Sequence, residues 1–138
     1  MFKVTKHIDF CYGHRLLNYE GRCRHLHGHN GRAEVDLAAD ALDGRGMVVD
    51  FTDIKQRIKS WIDETLDHRM LLHREDPILP VLQERGELYF VMDENPTAEN
   101  IAVAIWNALA PRIPSGTLHS VRLQETENNT VEYRGGAK

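Results

Sequence analysis

Residues 23–38 read Cys23-Arg24-His25-Leu26-His27-Gly28-His29-Asn30-Gly31-Arg32-Ala33-Glu34-Val35-Asp36-Leu37-Ala38. Ala33, Val35 and Leu37 share one parity, and Arg32, Glu34 and Asp36 share the other. That is the period-two pattern of a strand with one buried face, expected here over about His27–Ala38. Its start holds two imidazoles two positions apart. Alternate residues of a strand point to the same side, so His27 and His29 can reach one ion. Gly28 between them lets another backbone or a substrate come close.

Working outward, Phe2, Val4, Ile8 and Phe10 share parity and predict a strand over Met1–Phe10, followed by a loop through Gly21. Beyond the second strand, Asp43-Gly44 marks a turn within a hairpin connection over Asp40–Gly46, with Met47–Phe51 as a returning strand end. Phe51, Ile54, Ile58, Trp61, Ile62 and Leu66 recur at three- and four-residue steps, which predicts an amphipathic helix over Thr52–Leu66. A second helix is expected over Thr97–Leu109. Thr97 caps it, Glu99 suits its dipole, and Ile101, Ile105, Trp106 and Leu109 form its stripe. Leu118–Thr126 and Thr130–Arg134 read as closing strands across Asn128-Asn129, and Leu88–Met92 as a short extra strand or extended segment. The order places one α+β domain over residues 1–138, with no internal repeat or dividing linker.

Composition narrows the function. Lys plus Arg is 17 and Asp plus Glu is 21, a net charge of −4, which argues against a nucleic-acid surface. No apolar run approaches the ~20 residues of a membrane-spanning helix. The first residues lack a signal-peptide apolar block, and with only Cys11 and Cys23 present a reducing cytoplasm is the default expectation. Five of the eight histidines, His7, His14, His25, His27 and His29, fall in the first 29 residues. Imidazole is the commonest protein metal ligand.

His14, on the segment before the His-Gly-His strand, is a plausible third ligand beside His27 and His29. Three imidazoles leave one tetrahedral position open, the pattern of a catalytic zinc. Cys23 as a fourth ligand would instead make a closed, structural site. His25 shares the face of His27 and could compete. Asp67-His68 is readable either as a catalytic pair or as a helix C-terminal pair, where a histidine complements the dipole. Glu125 shares parity with Val121 and Leu123 and should face the buried side, as a ligand-binding carboxylate or as half of an ion pair with an arginine.

Taken together, His14-Arg15-Leu16, Cys23-Arg24-His25-Leu26-His27-Gly28-His29-Asn30, Leu66-Asp67-His68, Asn95-Pro96-Thr97-Ala98-Glu99-Asn100 and Gln124-Glu125-Thr126 resemble, in order and spacing, the 6-pyruvoyl tetrahydropterin synthase superfamily. The resemblance covers about Phe2 to Gly135. Three residues separate Cys23 from His27, a short step similar to that of the bacterial 6-carboxy-5,6,7,8-tetrahydropterin synthases of queuosine (7-deazaguanine) synthesis. The resemblance implies a tunnelling fold: an antiparallel sheet backed by two helices, assembled into an oligomeric barrel. The implied assembly is a homohexamer of two trimers with active sites between subunits.

It further implies a zinc-dependent lyase acting on 7,8-dihydroneopterin triphosphate, yielding 6-carboxytetrahydropterin, acetaldehyde and triphosphate. The same scaffold making a pyruvoyl product is the alternative, and a non-catalytic zinc-binding domain the alternative of another class. By the resemblance His14, His27 and His29 are the zinc ligands, Cys23 is the catalytic cysteine, Asp67 and His68 are an acid–base pair, and Glu125 anchors the pterin. Thr97 and Glu99 match pterin contacts, although capping the helix explains both. Arg15, Arg22, Arg24, Lys3 and Lys6 are the cations near in sequence for the triphosphate. Two departures stand out: Gly31 where many relatives carry an aromatic residue, and a long stretch over Leu72–Met92 that could alter a rim or a subunit contact.

The chemistry needs these groups. A thiolate can remove a proton from carbon, and an imidazole opposite it can exchange protons along the side chain. Zinc stabilises negative charge developing on neighbouring oxygens. A carboxylate can accept both hydrogens of the pterin's two-donor edge.

Overall fold

The alternation that marks residues 27–38 runs the full length of a hairpin in the computed structural model, which describes residues 1–136. Strand β1 (Phe2–His14) lies antiparallel to β2 (His27–Ala39), in unbroken register from Phe2 opposite Ala39 to His14 opposite His27. β1 therefore continues four residues past the end expected at Phe10. Tyr12 and His14 extend the buried parity of Ile8 and Phe10.

The chain then forms α1 (Phe51–Thr65), β3 (Arg69–His73), α2 (Leu79–Arg85), β4 (Tyr89–Met92), α3 (Ala98–Leu109), β5 (Leu118–Thr126) and β6 (Asn129–Tyr133). All six strands join one sheet in the order β4-β3-β1-β2-β5-β6. β5 pairs antiparallel with β2, and β6 with β5. The stretch over Leu72–Met92 does more than reshape a rim. β3 and β4 pair in parallel at the β1 edge, which makes the sheet mixed, and seven-residue α2 adds a third helix. Leu71 and Leu72 are both fully buried, so β3 shows no alternation to read.

No returning strand forms over Met47–Phe51. The Asp43 carboxylate accepts the Arg45 and Met47 N–H groups at 2.8 and 3.0 Å, closing a local turn. Asp50 then caps α1 through the Thr52 N–H. Phe51, expected on the buried stripe, is 40% exposed. Thr97 caps α3 as expected, accepting from the Asn100 N–H at 3.2 Å.

The core lies on one face of the sheet. Ile54, Ile58 and Ile62 of α1 and Ile101, Ile105 and Leu109 of α3 pack with Ile8, Phe10, Val35, Leu37, Val121 and Leu123. Burying six such helix side chains at ~1.5–3 kcal/mol each holds the two helices on the sheet. The opposite parity carries Thr5, Asp36, Ser120 and Arg122. Asp36 is fully buried there, accepting from both hydroxyls and from Arg122.

Candidate metal centre and active site

The β1–β2 register builds the metal-ligating group. His14 ends β1 opposite His27, and Tyr12 lies opposite His29. Gly28 admits the neighbouring strand, since a Cβ there would lie 3.1 Å from the Tyr12 carbonyl. Imidazole centroids stand 4.5 Å apart for His14–His27 and 5.1 Å for each of the other two pairs. One ring nitrogen from each lies within 4.8 Å of the others.

The tautomers suit a cation. His14 Nδ1 is 2.7 Å from the Pro96 carbonyl, and His27 Nδ1 is 2.7 Å from the His25 carbonyl. A carbonyl only accepts, so both Nδ1 atoms carry the hydrogen and both Nε2 atoms offer a lone pair. His14 Nε2 is buried without a hydrogen-bond partner. Glu125 Oε1 stands 3.5 Å from it and 3.8 Å from His29 Nε2. At His14, electron pairs thus face one another with no hydrogen between them, an arrangement that a bound cation relieves. Three imidazoles fit zinc by donor type. Burial foremost depresses the pKa of His14; the Pro96 carbonyl and Glu125 oppose that shift, while His27 and His29 add to it.

Glu125 faces the core side with Val121 and Leu123, as its parity predicts, and takes the Tyr12 hydroxyl at 2.9 Å rather than an arginine. Burial, then the Glu125 charge, pushes the Tyr12 phenol far above its ordinary value. The Tyr12 ring fills the space beside Gly31, where an added Cβ would lie 2.9 Å from Cε1.

His14, Cys23, Thr97, Glu99 and Glu125 line one cavity of about 480 Å³. Cys23 sits in a single 3-10 turn, Arg22–Arg24, whose Cys23 carbonyl accepts the Leu16 N–H at 2.8 Å. Its thiol does not join the three-imidazole group.

Asp67 and His68 follow the end of α1, where the Asp67 N–H donates to the Ile62 carbonyl at 2.9 Å, and their further bonds reach β1. Asp67 Oδ1 accepts the Cys11 N–H at 2.9 Å, Oδ2 lies 2.8 Å from His68 Nδ1, and the His68 N–H donates to the Cys11 carbonyl at 2.7 Å. His68 takes a left-handed φ of 59°, which is uncommon outside glycine. Burial works to raise the Asp67 carboxyl, but the Cys11 N–H and His68 outweigh it and hold it below its usual range. The pair lines different cavities from Cys23. His68 shares one with His27, His29 and Arg69, and both residues border another with Gln124 and Thr126.

Residues 3–136 match the 6-pyruvoyl tetrahydropterin synthase family. The chain belongs to that family. It is 39% identical over 137 residues to the 6-carboxy-5,6,7,8-tetrahydropterin synthase of Rickettsia typhi, covering 96% of this chain and 99% of that one. It is 33% identical to the 6-pyruvoyl tetrahydrobiopterin synthase of Homo sapiens, covering 96% and 91%. Among solved structures, an uncharacterised protein from Wolinella succinogenes superposes with a TM-score of 0.84 at 29% identity, covering 98% of each chain. The 6-pyruvoyl tetrahydropterin synthase of Caenorhabditis elegans gives 0.76 at 24% identity, covering 98% and 96%.

Against the fold of this synthase family, several sequence candidates fall away from the metal group. His25 is exposed and takes the Arg24 Nε–H at 3.2 Å. Of the nearby cations, Arg15 is held by Asp76, and Lys3 lies 3.4 Å from Asp36. Tyr12, Cys11 and Arg69 escaped the sequence reading. Tyr12 continues the parity of Ile8 and Phe10, so a longer β1 would have revealed it. Cys11 Sγ lies within 4.8 Å of donors on Asp67 and His68. Arg69 keeps a buried Nε without a hydrogen-bond partner, and no sequence signal marks it.

Proposed function

We propose that this chain is a lyase converting 7,8-dihydroneopterin triphosphate and water to 6-carboxy-5,6,7,8-tetrahydropterin, acetaldehyde and triphosphate, in the cytoplasmic synthesis of queuosine. The observation that carries the reading is one cavity bringing Cys23, Glu125, Thr97 and Glu99 against His14 of the three-imidazole group, in a chain 39% identical over nearly its whole length to a 6-carboxytetrahydropterin synthase.

His14, His27 and His29 would hold zinc, which when bound keeps positive charge beside the substrate's side-chain oxygens and stabilises charge that develops there. Glu125 accepts the two-donor edge of the pterin and sets its orientation. Thr97 caps α3 and with Glu99 borders the ring. Cys23 removes a proton from the side chain as thiolate, and His68, braced by Asp67, returns one from the other side.

Cys23 and the Asp67–His68 pair line different cavities of one chain. The reading therefore places the active site between copies in a homo-oligomer, a hexamer of two trimers, with Asp67 and His68 of one copy completing the cavity of the next. Product identification tests the function: zinc-loaded protein, anaerobic substrate and mass spectrometry. A carboxylated pterin with acetaldehyde supports the reading. A pyruvoyl product replaces the reaction while keeping the residues, and no turnover with zinc bound refutes it.

A further inference from the structure

Tyr12 has no part in the chemistry above, yet it is among the most constrained side chains near the site. It is 3% exposed, and its hydroxyl donates to Glu125 Oε1 at 2.9 Å. The ring is fixed on every side. It stacks on Phe10 at 5.3 Å, meets the His14 ring edge-on at 5.3 Å and leans on His29 at 5.7 Å. Gly31 leaves the room it needs, since a Cβ at that position would stand 2.9 Å from Cε1. The phenol is thus placed by packing, and its hydrogen bond follows from that placement.

The oxygen it holds faces two demands. Glu125 Oε1 lies 3.5 Å from His14 Nε2 and 3.8 Å from His29 Nε2, two of the nitrogens that would bind zinc. A carboxylate so near a cation is itself a good zinc ligand. Joining the metal would close the position that a substrate oxygen needs and would turn the carboxylate away from the pterin. A carboxylate has about four lone-pair sites. The Tyr12 hydrogen occupies one on Oε1, on a donor that cannot follow the carboxylate if it moves.

We infer that Tyr12 is a positioning residue, which holds Glu125 for the pterin and keeps it off the metal ligands. The inference rests on the reading of Glu125 as the pterin anchor.

Tyr12→Phe keeps the ring and removes the bond. KM for 7,8-dihydroneopterin triphosphate should rise about tenfold, equivalent to about 1.4 kcal/mol, with a smaller change in kcat. Affinity for 7,8-dihydroneopterin, read by its fluorescence in zinc-loaded protein, should fall by a similar factor. Zinc affinity, read by chelator competition, should be undiminished or tighter. Tyr12→Phe/Glu125→Gln should bind 7,8-dihydroneopterin no more weakly than Glu125→Gln alone, because both changes act through one carboxylate. If Glu125→Gln leaves KM unchanged, the anchor reading fails and this inference with it. If Glu125→Gln raises KM while Tyr12→Phe does not, the anchor stands and the inference is overturned. Weaker zinc binding in Tyr12→Phe would also overturn it, showing that the phenol supports the imidazoles instead.

Discussion

Asp36→Asn tests how the sheet holds the strand that carries two of the imidazoles. Asp36 is fully buried on the sheet face opposite the core. Thr5 Oγ1 donates to it at 2.5 Å and Ser120 Oγ at 2.8 Å, Arg122 bonds both oxygens, and Lys3 Nζ lies 3.4 Å away. These partners tie β2 to β1 and β5 at the point where the β2–β5 register shifts, between Asp36 and Leu37. Burial alone would raise the carboxyl. The Thr5, Ser120 and Arg122 hydrogen bonds and the Arg122 charge reverse that and bring it from 3.8 down to about 2. At about 1.4 kcal/mol per tenfold in proton affinity, this is worth about 2–3 kcal/mol at neutral pH.

Because the folded value lies below the unfolded one, that stability is present above about pH 4. It is lost as pH falls through 2, with about half remaining at pH 3. Arg122 keeps Glu34 when Asp36 is neutralised, so the full cost of an orphaned buried charge does not apply. We expect Asp36→Asn to lose 2–3 kcal/mol (about the linkage value) at pH 7 and about half as much at pH 3. Urea unfolding at one fixed protomer concentration measures both. A loss under about 0.5 kcal/mol at pH 7, or an equal penalty at both pH values, refutes the network argument.

The site yields further expectations. His27→Ala should strip the metal, so full zinc occupancy by atomic absorption would sink the ligand assignment. Cys23→Ala should keep zinc and lose turnover by at least about a hundredfold; zinc and stability lost together would restore the closed, structural alternative. Gly31→Ala forces the Tyr12 ring to move, and should cost about 1–3 kcal/mol of stability and raise KM; unchanged urea unfolding and KM would show that the ring can shift freely. Cys23→Ala and His68→Ala, each inactive alone, should regain turnover when refolded together, since mixed oligomers then contain intact composite sites. No regain would place both groups in a single chain.

Much of this was legible in the residues because period-two and period-3.6 patterns report burial directly. Ala33, Val35 and Leu37 locate β2, and Val121 and Leu123 set the facing of Glu125. Ile54, Ile58 and Ile62 locate α1. Where burial does not alternate, the reading failed. Leu71 and Leu72 are buried together, which hides β3, and parallel pairing with β1 and β4 depends on contacts between distant segments. β1 runs past the end expected at Phe10, where the packing of Tyr12 against Gly31 across the hairpin extends the strand. Tertiary contact overrode the local signal at that point.

The division of the site has a different cause. The pleat that aims Tyr12, His14, His27 and His29 to one side of the hairpin aims Cys11 and Asn30 to the other. Asp67 and His68 are bonded to the backbone of Cys11, so their position follows the course of β1 past the metal group. Spacing along the chain shows that the imidazoles, the thiol and the acid–base pair are all present, but not which of them share a cavity. A proton removed on one side of a substrate and returned on the other requires two walls. The fold builds one around Cys23 and Glu125 and another around His68, and the proposed assembly is what would set the second wall of one copy against the first wall of its neighbour.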